Sequence, residues 1–147
     1  MKCLLRGRAT GGDGSVSLDQ IRHYQSKLAY EMDSADLYEA LENGEPIVVV
    51  DGRSAGAFEQ EHIPGAISLP HREISANSTA SLDTSALYVC YCDGIGCNAS
   101  TKTALKLLTL GLEVRELIGG LDWWKRDGYA THRSQSGSGN ESACGCH

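Results

Sequence analysis

No apolar run in this sequence approaches the length of a membrane span. Runs such as Ile47-Val48-Val49-Val50 are among the longest, whereas a helix needs about 20 apolar residues to cross the hydrocarbon core. The opening segment Met1 to Arg8 is basic, but its apolar stretch is only Cys3-Leu4-Leu5, too little for a secretory core. Neither a membrane protein nor an exported one is expected, which leaves the cytoplasm. Positive charge is scarce too. Thirteen Lys and Arg stand against 19 Asp and Glu, a net charge of −6, so there is no electrostatic footprint for nucleic acid. A nucleotide motif is missing as well: Gly94-Ile95-Gly96 lacks the third glycine and the ribose-binding acid of a dinucleotide site. No cofactor is expected, and no internal repeat is found.

What is present suffices for one domain. A chain of 147 residues buries about 70% of the surface its unfolded form exposes, so no staple is needed merely to fold. The six cysteines make an even number, yet a chain this long without an export signal is not built on a disulfide framework. In a reducing compartment, clustered cysteines point to catalysis or metal binding.

Along the chain, residues 1–16 carry Gly11-Gly12-Asp13-Gly14-Ser15 and have too little apolar surface to order themselves, which predicts a flexible arm. Leu18, Ile21, Gln25 and Leu28 then share one helical face behind a Ser17 N-cap, followed by an extended stretch from Leu28 to Met32. Asp33 or Ser34 starts a second helix with Leu37, Tyr38 and Leu41 inward, ending at Asn43-Gly44. Ile47 to Val50 is a β-branched run suited to a strand covered on both faces. A short helix over 55–61, a brief strand over 66–69 and a polar connection over 77–85 come next. Strand 87–92, a loop over 93–98 and an amphipathic helix over 99–110 follow, the helix with Ala104, Leu105, Leu107 and Leu108 on its buried side. A strand over 113–118 and a helical turn or two over 121–126 complete the pattern. Strands alternating with helices predict an α/β domain over 17–133, with a mainly parallel sheet of about five strands. The Ser/Gly-rich stretch 134–147 reads as a disordered tail.

The chemistry concentrates in Cys92-Asp93-Gly94-Ile95-Gly96-Cys97-Asn98, between a strand and a helix. In open α/β sheets, ligands bind beyond the carboxyl ends of the strands. Two glycines let such a loop curl its N–H groups inward as an anion cradle at the helix N-terminus. A cysteine at its base has its thiolate stabilised and becomes nucleophilic; the alternative is a small buried residue that merely ends a strand. Cys90, two positions earlier on the same face of the strand, reads as core.

Three segments then form a pattern: Val49-Val50-Asp51-Gly52-Arg53 with Phe58, His62-Ile63-Pro64-Gly65-Ala66-Ile67 and Leu69-Pro70; Tyr91-Cys92 with its glycine loop; and Gly119-Gly120-Leu121 with Trp123-Trp124. Over roughly residues 28 to 130 this resembles the rhodanese-like domains, in that order and at single-domain length. The resemblance implies a rhodanese-like fold with helices on both faces of the sheet, and sulfurtransferase chemistry. A cysteine, here Cys92, takes a sulfane sulfur from thiosulfate or a persulfide, becomes a persulfide, and passes the sulfur to a thiol, cyanide or protein acceptor. Loop N–H groups would stabilise the negative outer sulfur.

Two departures stand out. Phosphatases and arsenate reductases sharing this fold need an arginine six positions past the cysteine to clamp an oxyanion; Asn98 stands there. Lys102 and Lys106 are candidate weaker cations, or plain surface lysines. The second departure is Cys97, which reads either as a resolving thiol leaving a disulfide with Cys92 or as the nucleophile itself. Asp51 and Arg53 are expected to hold neighbouring loops by an ion pair, and His62 to order the turn after it. His71 and Arg72 are candidates to line the pocket. Of the adjacent Trp123 and Trp124, at most one can be fully buried, since they point about 100° apart on a helix. The terminal Cys144-Gly145-Cys146-His147 offers soft ligands or a mobile dithiol, but a structural zinc site needs a second ligand pair, and no metal is assigned. The expected function is sulfurtransfer through Cys92. The alternatives are a Cys92/Cys97 thiol–disulfide reductase and a non-catalytic rhodanese-like binding module; neither a nucleic acid nor a membrane is an expected partner.

Overall fold

The β-branched run at Ile47 becomes the inner strand β2 (Ile47–Asp51) of a five-stranded sheet. A computed structural model describes residues 16–134; the arm before them and Cys144-Gly145-Cys146-His147 lie outside the described residues. In chain order the elements are α1 (Leu18–Tyr30), β1 (Glu31–Met32), α2 (Ser34–Glu42), β2, α3 (Ala55–Gln60) and β3 (Ile67–Ser68). A 3₁₀ turn (His71–Glu73), β4 (Leu87–Tyr91), α4 (Ala99–Thr109), β5 (Glu113–Leu117) and α5 (Gly120–Arg126) follow. The strand order is β1-β5-β4-β2-β3 with every pairing parallel, so β4 is central and all carboxyl ends share one edge.

Side-chain alternation along β2 and β4 divides the core in two. Val49, Val89 and Tyr91 point to one face, where Leu37 of α2 and Leu121 and Trp124 of α5 cover them. Val50, Tyr88 and Cys90 point to the other, under Ala104 and Leu107 of α4. The sheet is thus covered on both faces, and no described helix is long and apolar enough to cross a membrane.

Several local expectations need correction. The first helix does not give way at Leu28. It runs to Tyr30, because the Glu31 N–H still closes on Lys27 O and Lys27 Nζ pairs with Glu31 at 3.2 Å; only Glu31–Met32 is extended, against β5. Ser17 caps this helix, accepting from Gln20 N at 3.3 Å, yet none of its residues is buried. In α2, Ser34, Leu37 and Ala40 take the inner face. Tyr38, one step of about 100° further round, lies at the surface with its ring stacked on Tyr129.

The inner face of α4 is Ala99, Ser100, Thr103, Ala104 and Leu107, whereas Leu105 and Leu108 are exposed. Gly52 is the reason. A Cβ there would overlap Thr103 Oγ1 and come within 3.2 Å of Ala99 O. The missing side chain lets α4 approach the end of β2 through its small and polar side, which turns Leu105 and Leu108 outward. Of the tryptophans, Trp124 is buried with Nε1 donating to Ala130 O at 2.9 Å, and Trp123 is exposed.

Candidate active site at the carboxyl end of the central strand

Cys92 directly follows β4 and is 1% exposed. Its carbonyl accepts from Leu121 N at 2.9 Å, and the next carbonyl, of Asp93, accepts from Asp122 N at 2.8 Å. The start of α5 therefore clamps the start of the loop. This contact needs a glycine: at Gly120, with φ +55, a Cβ would overlap Cys92 O and lie 3.0 Å from both Cys92 C and Gly94 N. Gly94 meets the same helix, its would-be Cβ lying 3.2 Å from Asp122 Cβ. Gly94 and Gly96 do not adopt positive φ, so close approach, not a left-handed backbone, is what Gly94 provides.

Past Gly94 the loop turns back on itself, with Cys97 N donating to Gly94 O at 3.2 Å. Ile95 stands at its tip, 80% exposed. Cys97, half-buried, returns over Cys92, and the two are joined in a disulfide with Cα atoms 6.3 Å apart. Asn98 is exposed and precedes α4 without a side-chain cap bond. Glu116 of β5 anchors the first turn of α4, accepting from Ser100 Oγ at 3.1 Å and Thr101 Oγ1 at 2.9 Å.

Beneath the loop lies a buried polar network. Arg53 Nε and Nη2 donate to the carboxylate of Asp51 at 3.0 and 2.7 Å, Nη1 to Asp93 Oδ1 at 2.9 Å, and Nη2 also to Glu61 O at 2.6 Å. Tyr91 Oη donates to Asp51 Oδ2 at 2.9 Å and accepts from Ile63 N at 3.1 Å. Burial opposes the charge on Arg53, but the hydrogen bond and charge of Asp51, then the bond to Asp93, outweigh it and raise its pKa above the ordinary value. Burial, then the Asp51 charge, likewise pushes Tyr91 up, so it remains a neutral donor. The guanidinium spends its donors on two carboxylates and the carbonyls of Ala57 and Glu61; it holds the first loop residue in place.

Cys90 is sealed in the α4-side core, and burial together with Glu116 raises its pKa. His62 pairs its backbone with His132 and its Nδ1 donates to Phe58 O at 2.7 Å, tying the end of α3 to the chain's return. His71 is buried, and its carbonyl accepts from Lys106 Nζ at 2.6 Å. Lys106 thus braces the 3₁₀ turn against α4, while Arg72 and Lys102 are exposed. Among the described residues, no group of three or more His, Cys, Asp or Glu is placed to hold a metal. Sequence reasoning missed the close approach of Gly120, the double role of Tyr91 Oη and the anchor at Glu116. The signals available were a Gly-Gly pair before a helix, a tyrosine next to the cysteine, and an acid inside a short strand.

Known proteins share this fold. No curated protein matches the chain significantly. Among solved structures, the BH2092 protein from Bacillus halodurans is 41% identical over 79% of this chain and 85% of its own, with a TM-score of 0.75. A Lactobacillus plantarum protein is 26% identical over 78% and 98%, TM-score 0.69. The rhodanese-like domain of the Alr3790 protein from Anabaena is 28% identical over 77% and 88%, TM-score 0.63. The family model for the rhodanese-like domain matches residues 33–127, a span that holds β2, the Cys92 loop and the Gly119-Gly120 clamp together. The chain belongs to the rhodanese-like domain family.

Proposed function

We propose that this chain is a sulfurtransferase whose nucleophile is Cys92. The observation that carries the reading is the placement of Cys92. It lies at the carboxyl end of the central strand, with its carbonyl held by Leu121 N and the α4 N-terminus closing its loop. The helix end carries about half a positive charge, which stabilises a thiolate and makes it nucleophilic at neutral pH. In the first half-reaction the thiolate forms a bond to the outer sulfur of the donor. The donor's S–S bond breaks and its electron pair leaves with sulfite, from thiosulfate, or with a thiolate, from a persulfide. Cys92 is left as a persulfide, and a thiol or cyanide acceptor takes the outer sulfur in the second half-reaction.

The side chains bear on the donor. Asn98 replaces the clamping arginine, Arg53 is held by Asp51 and Asp93, and Lys106 by His71 O. Neither Asn98, Arg53 nor Lys106 offers a thiosulfate dianion a free bidentate partner, so singly charged persulfides are the better donors, in a thiol-rich cytoplasm. The test is single-turnover release of the leaving group from reduced protein, as sulfite from thiosulfate or as thiol from a small persulfide. Wild type should release one leaving group per chain and Cys92→Ser none. Equal release by Cys92→Ser, or no release by wild type from either donor, would sink the proposal and favour a binding module.

A further inference from the structure

We infer that Cys97 is the first acceptor of the sulfur, which makes the loop a dithiol-dependent reductase of sulfane sulfur that releases sulfide. The inference rests on the Cys92 persulfide proposed above. Three observations lead to it. The Cα separation of Cys92 and Cys97, 6.3 Å, lies inside the ~4.4–6.8 Å span that a disulfide bridges without moving the backbone. The turn closed by Cys97 N and Gly94 O returns Cys97 over Cys92, so its sulfur reaches the inner sulfur of a persulfide with the loop as it stands. The remaining described cysteine, Cys90, is sealed in the core and cannot compete.

The step balances without an outside oxidant. The Cys97 sulfur forms a bond to the inner sulfur of the Cys92 persulfide, and the bond from inner to outer sulfur breaks. The outer sulfur leaves with the electron pair and takes the proton of the Cys97 thiol, departing as hydrosulfide. The donor's sulfane sulfur is reduced, and the two cysteines are oxidised to the disulfide seen here.

An external dithiol, small or on a protein, completes the cycle. Cys92 is 1% exposed and Cys97 half-buried, so the incoming thiolate meets the Cys97 sulfur first. Cys92 is then the leaving group, and it departs as the thiolate. The second thiol of the reductant resolves the mixed disulfide, freeing Cys97 and carrying away both electrons. Overall, donor and dithiol become leaving group, sulfide and oxidised dithiol.

The decisive experiment treats the full-length reduced chain, freed of reductant, with excess thiosulfate, and measures sulfite, sulfide and the intact and peptide masses. Wild type should release one sulfite and one sulfide per chain and end lighter by two hydrogens, with Cys92 linked to Cys97. Cys97→Ser should release the sulfite, retain one added sulfur on Cys92, and lose at least about ten-fold in sulfide. If wild type keeps the added sulfur and releases no sulfide, the inference is overturned while sulfurtransfer stands. A disulfide from Cys92 to Cys144 or Cys146 would overturn it in favour of the tail. If neither protein releases sulfite or gains sulfur from thiosulfate, and neither releases thiol or gains sulfur from a small persulfide, the sulfurtransferase reading itself fails and takes the inference with it.

Discussion

Replacing Gly120 by alanine tests whether the α5 clamp positions Cys92. The residue has φ +55 and faces backbone atoms: a new Cβ would overlap Cys92 O and lie 3.0 Å from Cys92 C and from Gly94 N. None of these can swing aside as a long side chain would. The left-handed backbone costs an L-residue about 1–2 kcal/mol, and overpacking a filled site costs about 1–3 kcal/mol. Together they predict a loss of about 2–5 kcal/mol, from a total stability of only ~5–15 kcal/mol for a domain. With a urea slope of about 2 kcal/mol per molar, the unfolding midpoint should fall by about 1–2.5 M. Relief of the overlap pushes the helix start away from the loop and lengthens the bond from Leu121 N to Cys92 O, now 2.9 Å. A displacement near 1 Å at a reacting group costs about a hundred-fold in rate, so single-turnover sulfite release should slow by roughly that factor. Gly56→Ala is the control. It lies within α3, away from positive φ and with nothing within 4 Å of the added Cβ, and should stabilise by about 0.5–1 kcal/mol. Wild-type stability and rate in Gly120→Ala would refute the clamp argument.

Other consequences follow from the same geometry. Arg53→Ala removes the counter-charge from buried Asp51, and should cost about 3–5 kcal/mol, read as a lowered denaturant midpoint; Arg53→Lys, unable to reach Asp51, Asp93 and Glu61 O together, should recover only part of it. A loss under about 1 kcal/mol for Arg53→Ala would show that the network does not bear on stability. Cys90, its thiol pushed up by burial and then by Glu116, should resist iodoacetamide near pH 8 in the reduced native protein while Cys92 and Cys97 react, and should label only after unfolding; native labelling of Cys90 by peptide mass would contradict this. Partial burial opposes the Glu61 charge, but hydrogen bonds from Lys125 and Thr131 outweigh it and hold the pKa below its ordinary value. A lowered folded pKa stabilises above the unfolded value, about 4.3, and that stability disappears as the pH falls through the folded value. Thermal midpoints of wild type and Glu61→Gln should therefore differ at neutral pH, and the gap should narrow as the pH falls below the unfolded value; a constant gap would sink the assignment.

What was legible in the sequence depended on how local each determinant is. The β-branched run of β2 and the caps at Ser17 and Asp33 act within a few residues, and the elements form there. Asp51 and Arg53 are two residues apart, so their pairing lies within reach of sequence reasoning. The partner that gives the pair a purpose, Asp93, is forty residues on and meets Arg53 only because β2 and β4 are neighbours in parallel register. The buried side of α4 was misread for the same reason. Ala104, Leu105, Leu107 and Leu108 span about 160° of the helix circumference, and periodicity cannot fix which part of so wide an apolar arc faces the sheet. Gly52, nearly fifty residues earlier, makes the choice by leaving room for Thr103.

The site follows the same rule, and there the non-local term decides the chemistry. Cys92 and Cys97 are visible as a pair in the sequence, and their spacing alone is compatible with a nucleophile and a bystander, or with two nucleophiles in different registers. The turn closed between Cys97 N and Gly94 O brings the second sulfur over the first, while α5, more than twenty residues downstream, holds the first in place through Leu121 N. One sulfur is fixed at the strand end and nearly covered; the other is carried on a loop that faces solvent at Ile95. That asymmetry, more than the presence of two cysteines, is what the proposed roles rest on. In the proposed cycle the fixed sulfur accepts from the donor, and the loop sulfur meets the reductant. Cys92→Ser and Cys97→Ser are therefore not equivalent changes, because of the two cysteines it is Cys92 whose carbonyl is held by α5.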